Sequence, residues 1–565
     1  MITRRRFITS LAALTSAPAI DTPWASTRDS SKVALIIGNS AYPNMRLLNP
    51  ANDARAMSEL LGSAGFSVDT RLDATRLDLL AAIERFGDTA RQSATELALF
   101  YYAGHGAQLD WRNYLLPVDA RIASAEQLKQ NGIDLGLLLN KLKAASGKSF
   151  VIVLDACRDD PFGSAFRTAQ KGLSQFDAPV GSLLAYSTSP GNTASDGDGK
   201  NGLYTEHLVR ELSAGGIRIE DALKRVRLNV RLASNGGQIP WESTSLENDI
   251  YIVGTGPKKR SDAELEKEIE DDLRDWERIK TSHDIDDWAT YIRKRPNGRF
   301  AEIAQSRLIK LMARRQTAPV ASSAVNMAAS SAAPAIDLKQ GATGLQLTQA
   351  AVNPYSAGSF PLARKFTVGD EAVFALRDIL TGLEAKRYTI AITKIDLDAD
   401  RVEGNGGDWV FDTLGNELSS PINGPSNSPS QFAPLELQIG KKWTAAWTQQ
   451  HPTMGKQVAE LDLRIATRER LRTDLGEFDT FRIDGSGWLR FQGWGGSTQM
   501  RSMERRWWIV PGINYPIRVE AINRASGRAM LTDRIDLVAL RQIAVDNAFE
   551  SVATGGGRSL LLKSR

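Results

Sequence analysis

Apolar residues in the first half of the chain fall into two patterns, continuous runs and helical repeats. Several runs are unbroken by polar residues, which predicts strands covered by helices on both faces. The predicted strands are "KVALIIGN", "FSVDTRL", "TELALFYYA", "SFVIVLDA", "GSLLAYST" and "DIYIVG". The helical repeats between them are "NDARAMSELLGSAG", "RLDLLAAIERFGDTA", "DLGLLLNKLKAA", "LYTEHLVRELS" and "RIEDALKRVRLNVRLA". This alternation predicts an α/β domain with a doubly wound, mostly parallel sheet.

The pattern changes after Gly256, where the charged stretch "SDAELEKEIEDDLRDWERIK" predicts a helix opened by a capping box of Ser261 and Glu264. Two further helices are predicted around the turn "RPNGR". We expect Trp276 and Trp288 to pack inside this small helical region, a hairpin or repeat. Ala, Ser and Pro then dominate a stretch that predicts a flexible linker.

Alternating polar and apolar residues with Gly, Asn and Asp between them predict antiparallel hairpins in a β-rich last unit. It holds seven of the twelve tryptophans, among them Trp443, Trp447, Trp494, Trp507 and Trp508. These side chains fit either a binding face or a core, and both interpretations stay open. The predicted boundaries are 1–28 for a signal peptide, 30–256 for the α/β domain, 260–316 for the helical region, 317–342 for the linker, 343–546 for the β-rich domain and 547–565 for a flexible tail.

Composition narrows the function classes. A net charge of +4, with no basic stripe interleaved with aromatic residues, argues against nucleic acid as a partner. One cysteine and four histidines exclude the usual cysteine-rich zinc sites and any disulfide within the chain. Cys157 must therefore be explained singly, either as a small buried apolar residue or as a reactive thiol.

The first residues, "MITRRRFITSLAALTSAPA", have the order of a secretory signal: arginines, a short apolar stretch, then small residues. They resemble a bacterial twin-arginine signal, which implies export of a folded protein to the periplasm or beyond. The apolar part is short for a membrane span, so we expect no stable span after signal removal. An uncleaved anchor is the alternative.

His105 and Cys157 carry the candidate chemistry. "TELALFYYA" leads into Gly104, His105 and Gly106, and "SFVIVLDA" ends at Cys157, with a helix-sized crossover between them. A right-handed parallel crossover brings both strand ends to one sheet edge, within reach for an imidazole to activate a thiol. The N–H groups of Gly106 and Cys157 are candidates for an oxyanion hole.

"YYAGHG" and "DAC" at this spacing resemble the caspase and metacaspase cysteine peptidases, of the bacterial orthocaspase type. "LIIGNSAYPNMRLLNPANDARAMSELL", "LLAYSTSPGNTASDG" and "GGQIPWESTSLENDIYI" agree with the family's other segments, over residues 32 to 253. The resemblance implies a caspase-like catalytic domain with His105 as general base and Cys157 as nucleophile. It also implies protein or peptide substrates.

Three acids are candidates for substrate binding. Asp155 replaces the glutamine of true caspases and lies on the same strand face as Cys157, so an acidic pocket would select Arg or Lys before the cleaved bond. Asp53 and Asp196 match other acids of the family. The structural alternatives are a loop brace for Asp155, a helix N-terminal residue for Asp53 and a turn residue for Asp196.

Arg167 and Lys171 lie in the segment that links the two halves of this domain and are candidate autoprocessing sites. No cofactor or bound metal is expected. Relatives often need calcium, so activation by this ion stays an open alternative. The carboxylates in "SDGDG" and "DDP" could supply oxygen ligands, but their spacing matches no defined calcium loop. Two other functions stay open: a non-proteolytic scaffold acting through the β-rich domain, and esterase or acyl-transfer chemistry. The sequence does not indicate the oligomeric state.

Overall fold

The computed structural model describes residues 31–43, 45–145, 147–157, 173–176, 179–189, 199–256, 262–317, 336–339, 356, 359–362, 364–426, 428–492 and 498–543. The predicted signal peptide and tail, Ser261 and most of the predicted linker lie outside these residues. Within them, no helix is both long enough and apolar enough to cross a membrane.

The first unit alternates strands and helices, as its apolar pattern predicts. Its elements are β1 (Lys32–Gly38), α1 (Pro50–Ser63), β2 (Ser67–Leu72), α2 (Arg76–Arg91), β3 (Leu97–Leu109), β4 (Arg112–Leu115), α3 (Ala125–Asn131), β5 (Ile133–Asp134), α4 (Leu135–Lys143), β6 (Ser149–Cys157), β7 (Ser182–Tyr186), α5 (Leu203–Ser213), α6 (Ile219–Ala233) and β8 (Trp241–Thr244). Local signals set some of these ends: Thr75 and Asp78 form a capping box that opens α2.

A mostly parallel sheet forms the centre of this unit, in the order β2-β1-β3-β6-β7-β8. All neighbours are parallel except β8, which runs antiparallel to β7 at the sheet edge. One apolar core lies between the sheet and α2 and α4, and a second lies between the opposite face and α1, α5 and α6. The predicted fold class is therefore confirmed, and it explains why the strands are apolar on both faces.

Three local predictions differ from the structure. β3 does not end at Ala103 but continues through the glycines to Leu109, where it pairs with β4. The run 249–254 forms no strand; Tyr251 makes one isolated bridge to Arg218, and this segment anchors the chain before α6. The last strand is β8 instead, and the helix α3 was not predicted.

The second unit contains three helices in its described residues: α7 (Asp262–Ile279), α8 (Ile285–Lys294) and α9 (Ala301–Thr317). Trp276 and Trp288 are buried in its core, with ring centroids 5.9 Å apart, and Trp276 stacks on Phe300 at 4.8 Å. Leu228 of α6 joins the same cluster, so the helical unit packs directly on the α/β unit. The predicted packing role of both tryptophans is confirmed.

The third unit is a large antiparallel sheet. Its strands are β9 (Ile336–Lys339), β10 (Ser359–Pro361), β11 (Glu371–Asp378), β12 (Glu384–Asp396), β13 (Arg401–Gly404), β14 (Trp409–Phe411), β15 (Glu417–Ser420), β16 (Gly424–Pro425), β17 (Glu436–Gln438), β18 (Lys442–His451), β19 (Gly455–Thr473), β20 (Gly476–Gln492), β21 (Thr498–Ile509), β22 (Arg518–Ala525) and β23 (Arg528–Gln542). The main sheet runs from β16 through β11, β23 and β20 to β18, and β10 pairs separately with β17. A bridge from Ser426 to Gln449 brings its two ends together, and the predicted β-rich domain is confirmed.

The tryptophans of the third unit mainly fill its interior. Trp443, Trp507 and Trp508 are at most 8% exposed and belong to two apolar clusters within the sheet. Trp447 is half-buried against the same cluster as Trp443, and Trp494 lies outside the described residues. The core interpretation therefore holds for the three buried tryptophans.

The third unit covers the open edge of the first unit's sheet, next to β8. Gln438 Nε2 donates to the carbonyl of Glu242 at 3.0 Å, and Lys442 Nζ donates to the carbonyl of Leu246 at 3.2 Å. Gly440 adopts φ +86°, and a Cβ there would lie 2.5 Å from the carbonyl oxygen of Thr244. Glycine is thus required for the close approach of the two backbones.

Candidate active site

The sheet brings His105 and Cys157 side by side. β3 and β6 are parallel neighbours, and their register pairs Ala103 with Asp155 and His105 with Cys157. Neighbouring strands lie about 4.8 Å apart. Because paired residues of parallel strands share a sheet face, these two positions share the face that carries α1 and α5, at the carboxyl end of the strands. Open α/β sheets bind their ligands at that edge.

Two tyrosines hold the backbone of His105. The His105 N–H donates to the Tyr42 hydroxyl at 3.0 Å, and the Tyr102 hydroxyl donates to the His105 carbonyl at 2.6 Å. Both hydroxyls also reach the carbonyl of Leu116, at 2.9 Å from Tyr42 and 3.0 Å from Tyr102. The Tyr42 ring lies 4.4 Å from the His105 ring, centroid to centroid. This tyrosine pair fixes the histidine in a site where it is only 2% exposed.

One hydrogen bond assigns the tautomer of the His105 ring. Its Nε2 lies 2.7 Å from the carbonyl oxygen of Met45, and a carbonyl can only accept. Nε2 therefore carries the proton, and in the neutral ring the lone pair is on Nδ1. The ring is thus prepared to take a proton at Nδ1 while Nε2 stays bonded to the main chain.

Packing is tight around the two glycines beside His105. Gly104 has φ +153°, and a Cβ there would lie 2.7 Å from the Tyr42 hydroxyl and 2.9 Å from the Tyr102 hydroxyl. A Cβ on Gly106 would lie 3.0 Å from Leu173 and 3.1 Å from the Cβ of Ala156. The first glycine makes room for the tyrosine pair, and the second lets β3 lie against the end of β6.

Two of the predicted acids meet at the start of α5. Asp53, in the first turn of α1, is 2% exposed and accepts from Asn201 Nδ2 at 2.8 Å and from the Gly202 N–H at 2.9 Å. Asp155 is half-buried and accepts from the Thr205 hydroxyl at 2.7 Å. Both carboxylates thus contact residues at the N-terminus of one helix, on the sheet face that carries positions 105 and 157.

The two carboxylates affect the pKa values of the buried tyrosines around them. Burial raises the pKa of Tyr101 well above its usual value, and the carboxylates of Asp155 and Asp53 raise it further. Burial and then Asp155 raise the pKa of Tyr204 in the same way. The Tyr101 hydroxyl lies 2.6 Å from Thr205 Oγ1, which itself donates to Asp155. This chain of hydroxyls orients the Asp155 carboxylate.

Asp196, Arg167 and Lys171 lie outside the described residues. In the part of the chain that the structure describes, no cluster of three or more His, Cys, Asp or Glu side chains is arranged to hold a metal ion. Sequence reasoning missed Tyr42, Met45 and Thr205, which reach the site from distant segments. The other missed residue, Tyr102, lies within "YYAGHG", where a tyrosine in a buried run signals a hydroxyl that needs a partner.

Comparisons with known proteins bear on the first unit. A family sequence model described as Caspase domain matches residues 31–251. The mouse mucosa-associated lymphoid tissue lymphoma translocation protein 1 homolog is 30% identical over 128 residues, 22% of this chain and 15% of that protein. Metacaspase-9 of Arabidopsis thaliana is 28% identical over 141 residues, 22% of this chain and 42% of that protein.

Caspase-1 of Sus scrofa is 24% identical over 247 residues, 39% of this chain and 59% of that protein. The chain thus spans less than two thirds of each of these relatives. The crystal structure of the Drosophila initiator caspase Dronc matches at 14% identity with a TM-score of 0.30, over 42% of this chain and 88% of that chain. The resemblance predicted from the sequence is confirmed by the family match over residues 31–251, and a helical unit and a β-rich unit follow these residues.

Proposed function

We propose that the protein is a cysteine endopeptidase of the caspase and metacaspase type, with a His105–Cys157 dyad, that cleaves after Arg or Lys. The observation that carries the proposal is the pairing of His105 with Cys157 in adjacent parallel strands, with the His105 Nε2 proton committed to Met45. A thiol is a poor nucleophile until it loses its proton, and an adjacent imidazole lone pair is the base that does this.

The proposed reaction has two halves. Nδ1 of His105 takes the thiol proton, and the Cys157 sulfur attacks the peptide carbonyl carbon to form a tetrahedral oxyanion. The N–H groups of Gly106 and Cys157 stabilise this oxyanion, each at about 3 kcal/mol. The imidazolium then gives its proton to the leaving amine, which breaks the C–N bond and leaves a thioester. Water, deprotonated by His105, hydrolyses the thioester and releases the acid and the free thiol.

Selection of Arg or Lys rests on the two acids near position 157. Asp155 lies two residues before Cys157 on the same strand, and Asp53 contacts the same helix start, so this side of the site is negative. A carboxylate holds a guanidinium through charge-assisted hydrogen bonds and disfavours an acidic side chain. Asp196 completes the proposed set of substrate-binding acids by family resemblance alone.

Hydrolysis of matched fluorogenic peptides with Arg, Lys or Asp before the reporter group tests the proposal. We expect the wild type to cleave the Arg and Lys peptides and Cys157→Ala to cleave none. Parallel assays with calcium and with chelator decide whether the ion is needed. Faster cleavage of the Asp peptide would refute the predicted specificity. If an arginyl chloromethylketone fails to label the wild type both with calcium and with chelator, the result would instead favour the non-proteolytic scaffold.

Asp155→Asn separates specificity from chemistry. It keeps the size of the side chain and an oxygen for the Thr205 hydroxyl but removes the charge. We expect kcat/KM for the Arg peptide to fall at least tenfold, about 1.4 kcal/mol, while labelling of Cys157 by iodoacetamide stays unchanged. An unchanged kcat/KM would assign Asp155 to the structural role of a loop brace.

A further inference from the structure

A large cavity lies where the three units meet, away from the proposed dyad. It has a volume of about 620 Å³ and is lined by α6 and β8 of the first unit, by α8 and α9, and by strands β17 to β21. None of the proposed catalytic or substrate-binding residues is among its described lining residues. Cavities of this size hold metabolite-sized molecules.

The described lining residues carry an excess of positive charge. They include nine Lys and Arg against seven Asp and Glu. Several of the acids already have partners: Glu242 pairs with Arg227 at 2.7 Å, and Glu302 pairs with Lys441 at 2.9 Å. The excess charge is therefore concentrated on cations that make no ion pair with a described acid.

Five of the nine lining cations make no ion pair with a described residue, and Lys224, Arg231 and Arg505 are three of them. Lys224 and Arg231 lie on the same side of α6 as Arg227, and Arg505 lies across from them on β21. In the described chain, Lys224 donates to the Asn297 amide oxygen, and Arg505 donates to Asn523 Oδ1 at 2.8 Å and to main-chain carbonyls. The buried Nε of Arg231 has no hydrogen-bond partner among the described residues.

Burial disfavours the charged form of all three side chains and lowers their pKa values. Burial lowers the pKa of Arg231 to about 10 and Arg227 lowers it further, against the attraction of Glu436. Burial likewise lowers the pKa of Arg505 to about 10 against the attraction of Asp533, and it lowers the pKa of Lys224 below its usual value against that of Glu302. Buried cations without acid partners destabilise a protein unless a bound anion compensates them.

We propose that this cavity binds a small phosphorylated organic molecule, whose phosphate contacts Arg231, Arg505 and Lys224. A phosphate monoester carries a charge of about −1.5 to −2, which matches the excess on the lining, and guanidinium groups bind it in a bidentate manner. Leu228, Ile292 and Trp443 line the same cavity and supply an apolar surface for the organic part. The site is independent of the proposed protease activity.

Calorimetric titration of the full-length protein with phenyl phosphate, inorganic phosphate and phenol tests the site. We expect phenyl phosphate to bind at least tenfold more tightly than inorganic phosphate, and phenol not to bind. Arg231→Gln and Arg505→Gln should each weaken phenyl phosphate binding at least tenfold. Arg528→Gln, at the exposed start of β23, is the matched control and should leave it unchanged. Equal affinity for phosphate and phenyl phosphate, or unchanged affinity in both cavity variants, would overturn the proposal.

A thermal melt separates loss of the site from loss of folding. Without ligand, Arg231→Gln should melt at the same temperature as the wild type or higher, because it removes a partly buried charge that makes no ion pair with a described residue. Phenyl phosphate should raise the melting temperature of the wild type but not of the variant. A lower melting temperature of the unliganded variant would mean that the protein itself already compensates this charge, and would refute the proposal.

Discussion

Removing one hydroxyl from either member of the tyrosine pair tests how His105 is held. Tyr42→Phe takes the acceptor from the His105 N–H, a bond of 3.0 Å inside the protein. The Leu116 carbonyl also loses Tyr42 as a donor but keeps Tyr102 at 3.0 Å and Asn39 Nδ2 at 3.1 Å. A buried N–H that loses its acceptor costs about 1–3 kcal/mol, so we expect a loss of about 2 kcal/mol.

Tyr102→Phe is the matched comparison, because it removes the same atom from the same kind of ring. The His105 carbonyl keeps the Leu116 N–H at 3.0 Å, and the Leu116 carbonyl keeps Tyr42 at 2.9 Å and Asn39. The main-chain groups of His105 and Leu116 that bond the Tyr102 hydroxyl therefore each retain another partner. We therefore expect a smaller cost of about 1 kcal/mol, the net value of one hydrogen bond.

Hydrogen exchange of the peptide that spans β3, measured by mass spectrometry, reports the free energy of opening at this site. The exchange of this peptide should speed up about 30-fold in Tyr42→Phe and about fivefold in Tyr102→Phe, as follows from those free energies. The kcat/KM of Tyr42→Phe should fall further than that of Tyr102→Phe, because only the first variant frees the backbone N–H of the base. An equal or larger effect of Tyr102→Phe on both readouts would refute this account of the pair.

Three further outcomes are expected. Gly104→Ala should reduce kcat/KM at least tenfold, because a Cβ there would lie 2.7 Å from the Tyr42 hydroxyl; a fully active variant would contradict the packing argument. Self-cleavage after Arg167 or Lys171, followed by intact mass, should disappear in Cys157→Ala, and a cut that persists would come from another protease. Burial raises the pKa of Glu302, but Lys441 at 2.9 Å, Lys224 and the Leu435 N–H together lower it more, so the net pKa lies below its usual value. The stability that this pair contributes is present above the ordinary glutamate pKa, and it is lost as the pH falls through the lower pKa of Glu302 in the folded protein. We therefore expect Glu302→Gln to remove this part of the acid sensitivity, measured by urea unfolding as a function of pH. An unchanged pH profile of the variant would refute this.

The apolar runs predicted the sheet well because a strand covered on both faces must be apolar throughout. The same rule failed at 249–254, where the run packs against the second core through the start of α6 rather than through strand pairing. β3 was predicted too short because Gly104 and Gly106 read as a turn, whereas close tyrosine hydroxyls and β6 are what demand glycine there. Local patterns report burial but not the partner that causes it.

The candidate site was predictable where topology alone decides. Two parallel strands joined by a crossover end at one edge, and this was enough to bring positions 105 and 157 together. The carbonyl of Met45 and the hydroxyl of Tyr42 were not predictable, since a main-chain oxygen has no sequence signature and the loop before α1 reaches the site only through the folded chain. The tautomer of the His105 ring is therefore known only from the structure.

The cover that the β-rich unit places over β8 bears on how the first unit behaves when it is cut out of the chain. A fragment ending near residue 256 would expose the peptide groups of Glu242 and Leu246 that now accept from Gln438 and Lys442. An uncovered strand margin is a template on which further chains stack and precipitate. We therefore expect the first unit to aggregate more readily alone than within the intact polypeptide. Expression of the intact polypeptide is the better route to soluble material.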